Sequence, residues 1–221
     1  MAPDRMATGL LLLVNSAIFL AVLLGNNDAF PFFAAKTLPG WAAGEWWRLI
    51  TAGYLHIYPI HIIMNMMSLY NIGPIAEDIF GTRRIFTIWT ISTVTGFLLS
   101  AVWTKAPSLG ASAGIFGLMG ALIAVGVLSK HPYARDLQKQ LMINAGIGFI
   151  IGSLPMFPID NAAHLGGLIG GFASAWVAGF PRPFDDVREK LWSLASIVSL
   201  GLTIYAFYEV AMKLTQTAVK L

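Results

Sequence analysis

Long apolar segments are the feature that most constrains how this chain can fold. Hydrophobic residues make up 57% of the 221 residues and charged residues only 11%, whereas soluble domains carry about 25% charged residues. A membrane span needs about 20 mostly apolar residues, and we predict seven: Thr8 to Leu24, Tyr58 to Ile75, Ile85 to Val102, Ser112 to Leu128, Leu137 to Leu154, Ala162 to Phe180 and Leu191 to Met212. The sequence therefore predicts an all-α integral membrane protein in a lipid bilayer.

The composition also excludes several classes of function. A net charge of +3, from cations scattered along the chain, is too small to indicate a nucleic-acid surface. With no cysteine, the chain has no disulfide, thiolate metal site or thiol nucleophile. Any nucleophile must be an oxygen or a nitrogen, and we predict no metal and no cofactor.

The basic residues predict the orientation of the spans. If the N-terminus is cytoplasmic, nine of the 14 lysines and arginines lie in inside segments, which agrees with the excess of cations in cytoplasmic loops. The C-terminus is then outside. The first span could be a signal peptide, but no cleavage pattern of small residues follows it, so we keep it as a span. The first external segment, from Asp28 to His56, is rich in aromatic residues, as is typical of a loop in the membrane interface.

One serine lies among residues too small to shield it, in the stretch from Leu109 to Gly117. Ser112 comes 18 residues before Lys130, and His164 comes 18 residues before Arg182, on spans that run the same way. Because 18 helical residues rise about 27 Å, we expect both side chains at a similar depth, just below the outer surface. The alternative to a functional serine is that the Ser112 hydroxyl only hydrogen-bonds to the backbone of its own helix.

Small residues on the two spans would let their backbones approach closely. They are Gly114, Gly117 and Ala121 on the fourth span, and Gly166, Gly167, Gly170 and Gly171 on the sixth. The same spacing also occurs in helices that only pack together, so it is weak evidence by itself.

The second span carries a polar face. His61 and Asn65 are four residues apart and share one side of the helix, Ser68 continues the stripe, and Pro59 suits the first turn. We expect this face to point inward. Polar residues that cross a membrane are costly and often functional, but Asn and His also join helices by hydrogen bonds alone.

Acyl transfer is the chemistry that unites these residue types. A serine hydroxyl needs a base, and the developing oxyanion needs donors in an apolar site. His164 would be the base, and Asn65, His61 and the Ser112 amide would be the donors. Asp160 would either orient His164 or simply begin its helix at the surface; we predict a Ser112–His164 dyad.

At these residues the sequence resembles the rhomboid family of intramembrane serine proteases, and the resemblance covers most of the chain up to Phe180. Four motifs agree with the family in order. They are Trp47-Arg48 with Leu49, Thr51 and His56; His61-x-x-x-Asn65; Gly110-Ala-Ser112; and Ala163-His164-x-x-Gly167-x-x-x-Gly171. The family usually has glycine directly after the serine, where this chain has Ala113, a methyl close to the oxyanion amide.

The resemblance implies roles for individual residues. Ser112 is the nucleophile, His164 the base, and Asn65, His61 and the Ser112 amide the oxyanion hole. Phe116 takes the position of an aromatic that packs on the catalytic imidazole. The resemblance also makes Glu77 a structural acid at the inner end of the second span and Trp47-Arg48 a pair that anchors a loop.

The resemblance further implies a six-helix rhomboid-like core over residues 1–180, with a loop and one extra C-terminal helix over residues 181–221. The implied activity is cleavage of single-span or multi-span membrane proteins near the outer ends of their spans, and we expect a bacterial inner membrane. One alternative is an inactive relative that binds and escorts membrane helices. A transporter or channel is a third possibility, but the paired charges and broken helices it predicts are absent from the sequence.

Overall fold

The structure, a computed structural model, describes residues 5–25, 29–129, 131–154, 159–179 and 186–218. Lys130, Phe180 and Arg182, which the sequence argument used, lie outside these described residues. The helices are α1 (Met6–Gly25), α2 (Ala29–Ala34), α3 (Leu38–Ala42), α4 (Arg48–Thr51), a 3-10 turn (Ala52–Tyr54), α5 (Pro59–Phe80), α6 (Thr82–Trp103), α7 (Ser112–Leu128), α8 (Pro132–Gly152), α9 (Asn161–Ala178) and α10 (Asp186–Ala218).

The predicted all-α membrane architecture is confirmed. Each predicted span coincides over most of its length with one long helix, and α7 has the predicted bounds, while the predicted end at Leu154 lies two residues beyond α8. By length and composition, α1, α6 and α10 are able to cross a membrane, while α7 is apolar but has only 17 residues.

Helices α5, α8 and α10 each extend at least five residues beyond their predicted spans, and for α5 and α8 the reasons are local. Helix α5 continues from Ile75 to Phe80 and ends where Gly81 takes a φ of 78°, a backbone conformation that favours glycine. Helix α8 begins five residues before Leu137, at Pro132, which occupies the first helical turn. Its first turns carry polar, exposed side chains, so an apolar window misses them.

Helix α7 forms the centre of the fold. Every residue from Ala113 to Gly126 is buried, as expected for a helix that is apolar on all sides. Helix α9 packs along it so closely that a Cβ at Gly167 would meet the Ala113 backbone, and one at Gly171 would meet the Gly117 backbone. Gly167 and Gly171 therefore do bring these two helices together, as the sequence predicted, whereas Gly114, Gly166 and Gly170 pack against α6 instead.

Residues 29–56, which we call the external segment after its predicted location, fold back onto the end of the bundle where α7 begins. Lys36 and Ser108 form an antiparallel bridge with backbone bonds of 3.0 and 2.9 Å. The Gly110 amide donates to the Ala52 carbonyl at 2.8 Å. The segment is thus bonded to the loop that leads into α7.

Glu77 joins α5 to the start of α1. Its carboxylate accepts hydrogen bonds of 2.8 Å from the amides of Ala7 and Thr8 and one of 2.7 Å from the Thr8 hydroxyl. Amides in a first helical turn lack partners within the helix, and a carboxylate there is favourable. Glu77 therefore lies where the resemblance placed a structural acid.

Candidate active site

Ser112 is the first residue of α7 and is half-buried. The chain reaches it through Gly110, whose φ is 127°, a conformation that side chains rarely adopt. A Cβ at Gly110 would also lie 2.6 Å from His61 Cε1. Glycine therefore allows the loop to turn tightly against α5 just before Ser112.

His164 lies in the first turn of α9 and is 5% exposed. Its ring stacks on Phe116, with centroids 4.0 Å apart and planes at 12°. The edge of Phe149 from α8 completes the packing, at 6.2 Å and 66°. Because Phe116 follows Ser112 by one helical turn, the stack holds the imidazole beside the start of α7.

Contacts with α6 show that the serine and the histidine lie at the same level. A Cβ built on Gly96 would be 2.8 Å from the Ala113 Cβ and 2.7 Å from the Ala163 carbonyl oxygen. Ala113 directly follows Ser112, and Ala163 directly precedes His164. Ser112 and His164 therefore lie at the same level along the bundle, and their depth in a membrane stays a prediction.

His61 and Asn65 face the loop that precedes Ser112. A Cβ on Gly110 would lie 2.8 Å from His61 Nε2 and 3.8 Å from Asn65 Nδ2. Asn65 is buried, and its Nδ2 donates to the His61 carbonyl at 3.1 Å. The predicted continuation of the stripe to Ser68 is wrong, because Ser68 is exposed and Leu69 is buried in its place.

His56 is a site residue that sequence reasoning placed only in a loop motif. It is fully buried, and its Nε2 lies 3.2 Å from Asn65 Nδ2 and accepts from the Ala111 amide at 3.4 Å. Burial, together with the smaller effect of nearby His61, lowers the pKa of His56 to about 3. The imidazole is therefore neutral at physiological pH and can accept these bonds. No helical spacing reveals the contact, because His56 precedes α5.

Asp160 begins α9. One carboxylate oxygen accepts from the Ala163 amide at 3.0 Å, and the other bonds to the Ser100 hydroxyl. His164 Nδ1 has no hydrogen-bond partner among the described residues. Of the two predicted roles for Asp160, these bonds favour the helix start, although its side chain is partly buried rather than at the surface.

Ala113 stands where the family usually has glycine. Its methyl packs into the contact between α6 and α7, where Gly96 leaves room for it. Among the described residues, no three His, Cys, Asp or Glu side chains form a group that could hold a metal ion. The start of α7 therefore lies near the His164 imidazole on one side and the side chains of His61 and Asn65 on the other.

Comparison with known proteins supports one family. The family model described as Rhomboid domain matches residues 43–180. The chain is 37% identical to "Rhomboid protease GluP" of Bacillus subtilis over 181 residues, which are 80% of this chain and 34% of that protein. It is 37% identical to "RHOMBOID-like protein 7" of Arabidopsis thaliana over 129 residues, 57% of this chain and 41% of that protein.

A further relative has a different description. The "Inactive RHOMBOID-like protein 8" of Arabidopsis thaliana is 33% identical over 128 residues, which are 57% of this chain and 36% of that protein. This chain thus spans well under half the length of each of these three relatives.

Proposed function

Because the chain belongs to the rhomboid family, we propose that it is an intramembrane serine endopeptidase. It hydrolyses peptide bonds in or near the transmembrane helices of other membrane proteins, with a Ser112–His164 dyad and without metal or cofactor. The family match and the similarity to a relative named a rhomboid protease support the reaction class. One observation carries the assignment: His164 is stacked beside the start of α7, where His61 and Asn65 also converge.

In the proposed reaction, His164 takes the proton of the Ser112 hydroxyl as the oxygen attacks the substrate carbonyl. The carbonyl oxygen becomes an oxyanion, and the C–N bond then breaks as His164 returns the proton to the leaving amine. Water hydrolyses the resulting ester by the same two proton transfers, which regenerates the serine.

Donors for the oxyanion come from two elements. Amides in the first turn of a helix have no acceptor within that helix, so the Ser112 N–H can donate, and the positive end of the helix dipole favours an anion there. Asn65 and His61 approach from α5. His56 is a positioning residue in this scheme, because its bonds hold Asn65 and the Ala111 amide.

We assign a dyad rather than a triad. Both carboxylate oxygens of Asp160 are bonded elsewhere, to Ala163 and Ser100. The His164 ring is instead oriented by its stack on Phe116, a contact that fixes the ring plane.

We assign residues 1–180 to the six-helix catalytic core and residues 181–221 to the loop and the extra helix. The substrates are single-span or multi-span membrane proteins, not nucleic acids. A bacterial inner membrane with a cytoplasmic N-terminus and an external C-terminus agrees with the distribution of cations. The site then lies near the outer surface.

Cleavage at this depth requires local opening of the substrate helix, because its backbone carbonyls are bonded within the helix. Glycine lowers helix stability by about 1 kcal/mol and proline by about 3 kcal/mol relative to alanine. We therefore expect substrates with such residues at the outer end of the span and a small residue before the cut.

Labelling by a fluorophosphonate probe in detergent tests the assignment. The unmodified protein and Ser68→Ala, which changes an exposed serine, should label, whereas Ser112→Ala and His164→Ala should not. Retained labelling of Ser112→Ala would contradict the proposal.

An inactive protein that only binds membrane helices is the second candidate, since one relative is described as inactive. It predicts no labelling of the unmodified protein and no cleavage in liposomes. The protease should cut a single-span substrate with an Ala-Gly-rich outer turn faster than one with leucines in that turn. Equal rates would refute the requirement for helix opening.

A further inference from the structure

Helix α10 packs one face against the rest of the protein. Its buried residues recur three or four positions apart, at Ser199, Thr203, Ala206 and Val210, the spacing of a single helix face. Lys213 follows three residues later at the outer end of this face.

Aromatic side chains join this helix to the external segment. The Phe207 ring packs on Phe30 at 6.5 Å and on the edge of Tyr54 at 5.7 Å. Tyr205 stacks on Trp46 at 5.8 Å and 19°. The external segment therefore rests on α10 at several points.

An ion cluster completes the junction. Glu45, with a side chain 12% exposed, binds Lys213 at 2.9 Å and Arg48 at 2.6 Å. Arg48 donates in turn to the carbonyls of Phe32 at 2.6 Å and Ala35 at 2.8 Å. A lysine of α10 is thus linked, through one carboxylate, to the arginine that holds the segment together.

The external segment continues directly to the site. The Ala52 carbonyl accepts from the Gly110 amide at 2.8 Å, two residues before Ser112. At the end of the segment, His56 bonds to Asn65 and to the Ala111 amide. A shift of the segment would therefore move both the approach to Ser112 and the Asn65 donor.

We propose that α10 holds the external segment in its catalytic position, and that Lys213 is a positioning residue that acts through Glu45 and Arg48. This inference rests on the proposed protease function. The inner end of α10 is held separately, since Arg84 pairs with Glu189 and Arg83 donates to Ser193 at 2.8 Å. Loss of the Lys213 charge should therefore loosen the segment without releasing the helix.

The test compares Lys213→Met with Lys213→Arg and with Lys190→Met, which removes an exposed lysine near the other end of α10. Cleavage of a single-span substrate in liposomes gives kcat and KM. We expect Lys213→Met to lower kcat about 10-fold with little change in KM, since sub-ångström misplacement of reacting groups costs rate. Lys213→Arg should restore most of the rate, and Lys190→Met should match the unmodified protein.

A second measurement tests whether position is the cause. The chain has no cysteine, so Trp46→Cys and Tyr205→Cys can be joined selectively by a short thiol crosslinker. Joining them in the Lys213→Met background should restore kcat. Independently of cleavage, amide hydrogen exchange in residues 29–56 should be faster in Lys213→Met than in Lys190→Met.

The outcomes separate the two proposals. Absence of cleavage by the unmodified protein contradicts the protease function, while the exchange rates still decide whether Lys213 holds the segment. Cleavage by Lys213→Met at the rate of Lys190→Met, with equal exchange, overturns the role of Lys213. A loss of rate that crosslinking leaves unchanged overturns the positioning role as well.

Discussion

Gly167→Ala should separate the two helices that carry the proposed dyad. An ideal Cβ at Gly167 would lie 2.9 Å from the Ala113 carbonyl carbon and 3.1 Å from its Cα, with the carbonyl oxygen closer still. Carbon atoms in contact are usually about 3.5–4.0 Å apart. The neighbour is backbone rather than a flexible side chain, so α7 and α9 must move apart by roughly 0.5–1 Å to restore that separation.

The shift acts directly on the proposed site. Gly167 is three residues after His164, and Ala113 is adjacent to Ser112. A misplacement of about 1 Å can cost about 10²-fold in rate, so we expect a loss of about 10- to 10²-fold in kcat. Overpacking costs about 1–3 kcal/mol and alanine regains up to about 1 kcal/mol in a helix, so the protein should stay folded.

Gly146→Ala is the matched control. Gly146 lies inside α8, and a Cβ there meets nothing within 4 Å. It should stabilise the protein slightly and leave activity unchanged. The assays are fluorophosphonate labelling, substrate cleavage in liposomes and thermal unfolding in detergent. Equal activity of the two variants would refute the argument that close packing of α7 and α9 sets the dyad geometry.

Three further predictions address single residues. Asn65→Ala should lower kcat by about 10²–10³-fold, the usual cost of one oxyanion donor; unchanged turnover would make Asn65 a structural residue. Asp160→Asn should keep both the helix cap and most of the activity, whereas Asp160→Ala should lose about 1 kcal/mol of unfolding free energy; inactivity of Asp160→Asn would instead indicate a triad. Burial raises the pKa of Glu45, but its bonds to Lys213 and Arg48 outweigh this and lower it. Its stabilising contribution is therefore complete above its unfolded pKa of about 4.3 and is lost as pH falls through the lower folded pKa. The unfolding temperature of Glu45→Gln should accordingly fall less steeply than that of the unmodified protein as the pH is lowered. Parallel curves of unfolding temperature against pH for the two proteins would contradict this.

The amino-acid sequence by itself determined the membrane class and the candidate site residues. An apolar run of this length is expected to form a membrane-spanning helix, because a backbone in lipid must satisfy its own hydrogen bonds. A polar side chain is conspicuous within such a run. Ser112, His164, His61 and Asn65 could be singled out for that reason, and the depth of the first two followed from the fixed rise of a helix.

Only the tertiary structure decided which groups meet across the chain. The bond from Asn65 to His56, the stack of His164 on Phe116 and the pairing of Glu45 with Lys213 join different elements. A helical period shows which face is buried but not which partner covers it. The partner of each face is decided only when the helices pack. The bond between Asp160 and Ser100 and the docking of α10 on the external segment both depend on that packing.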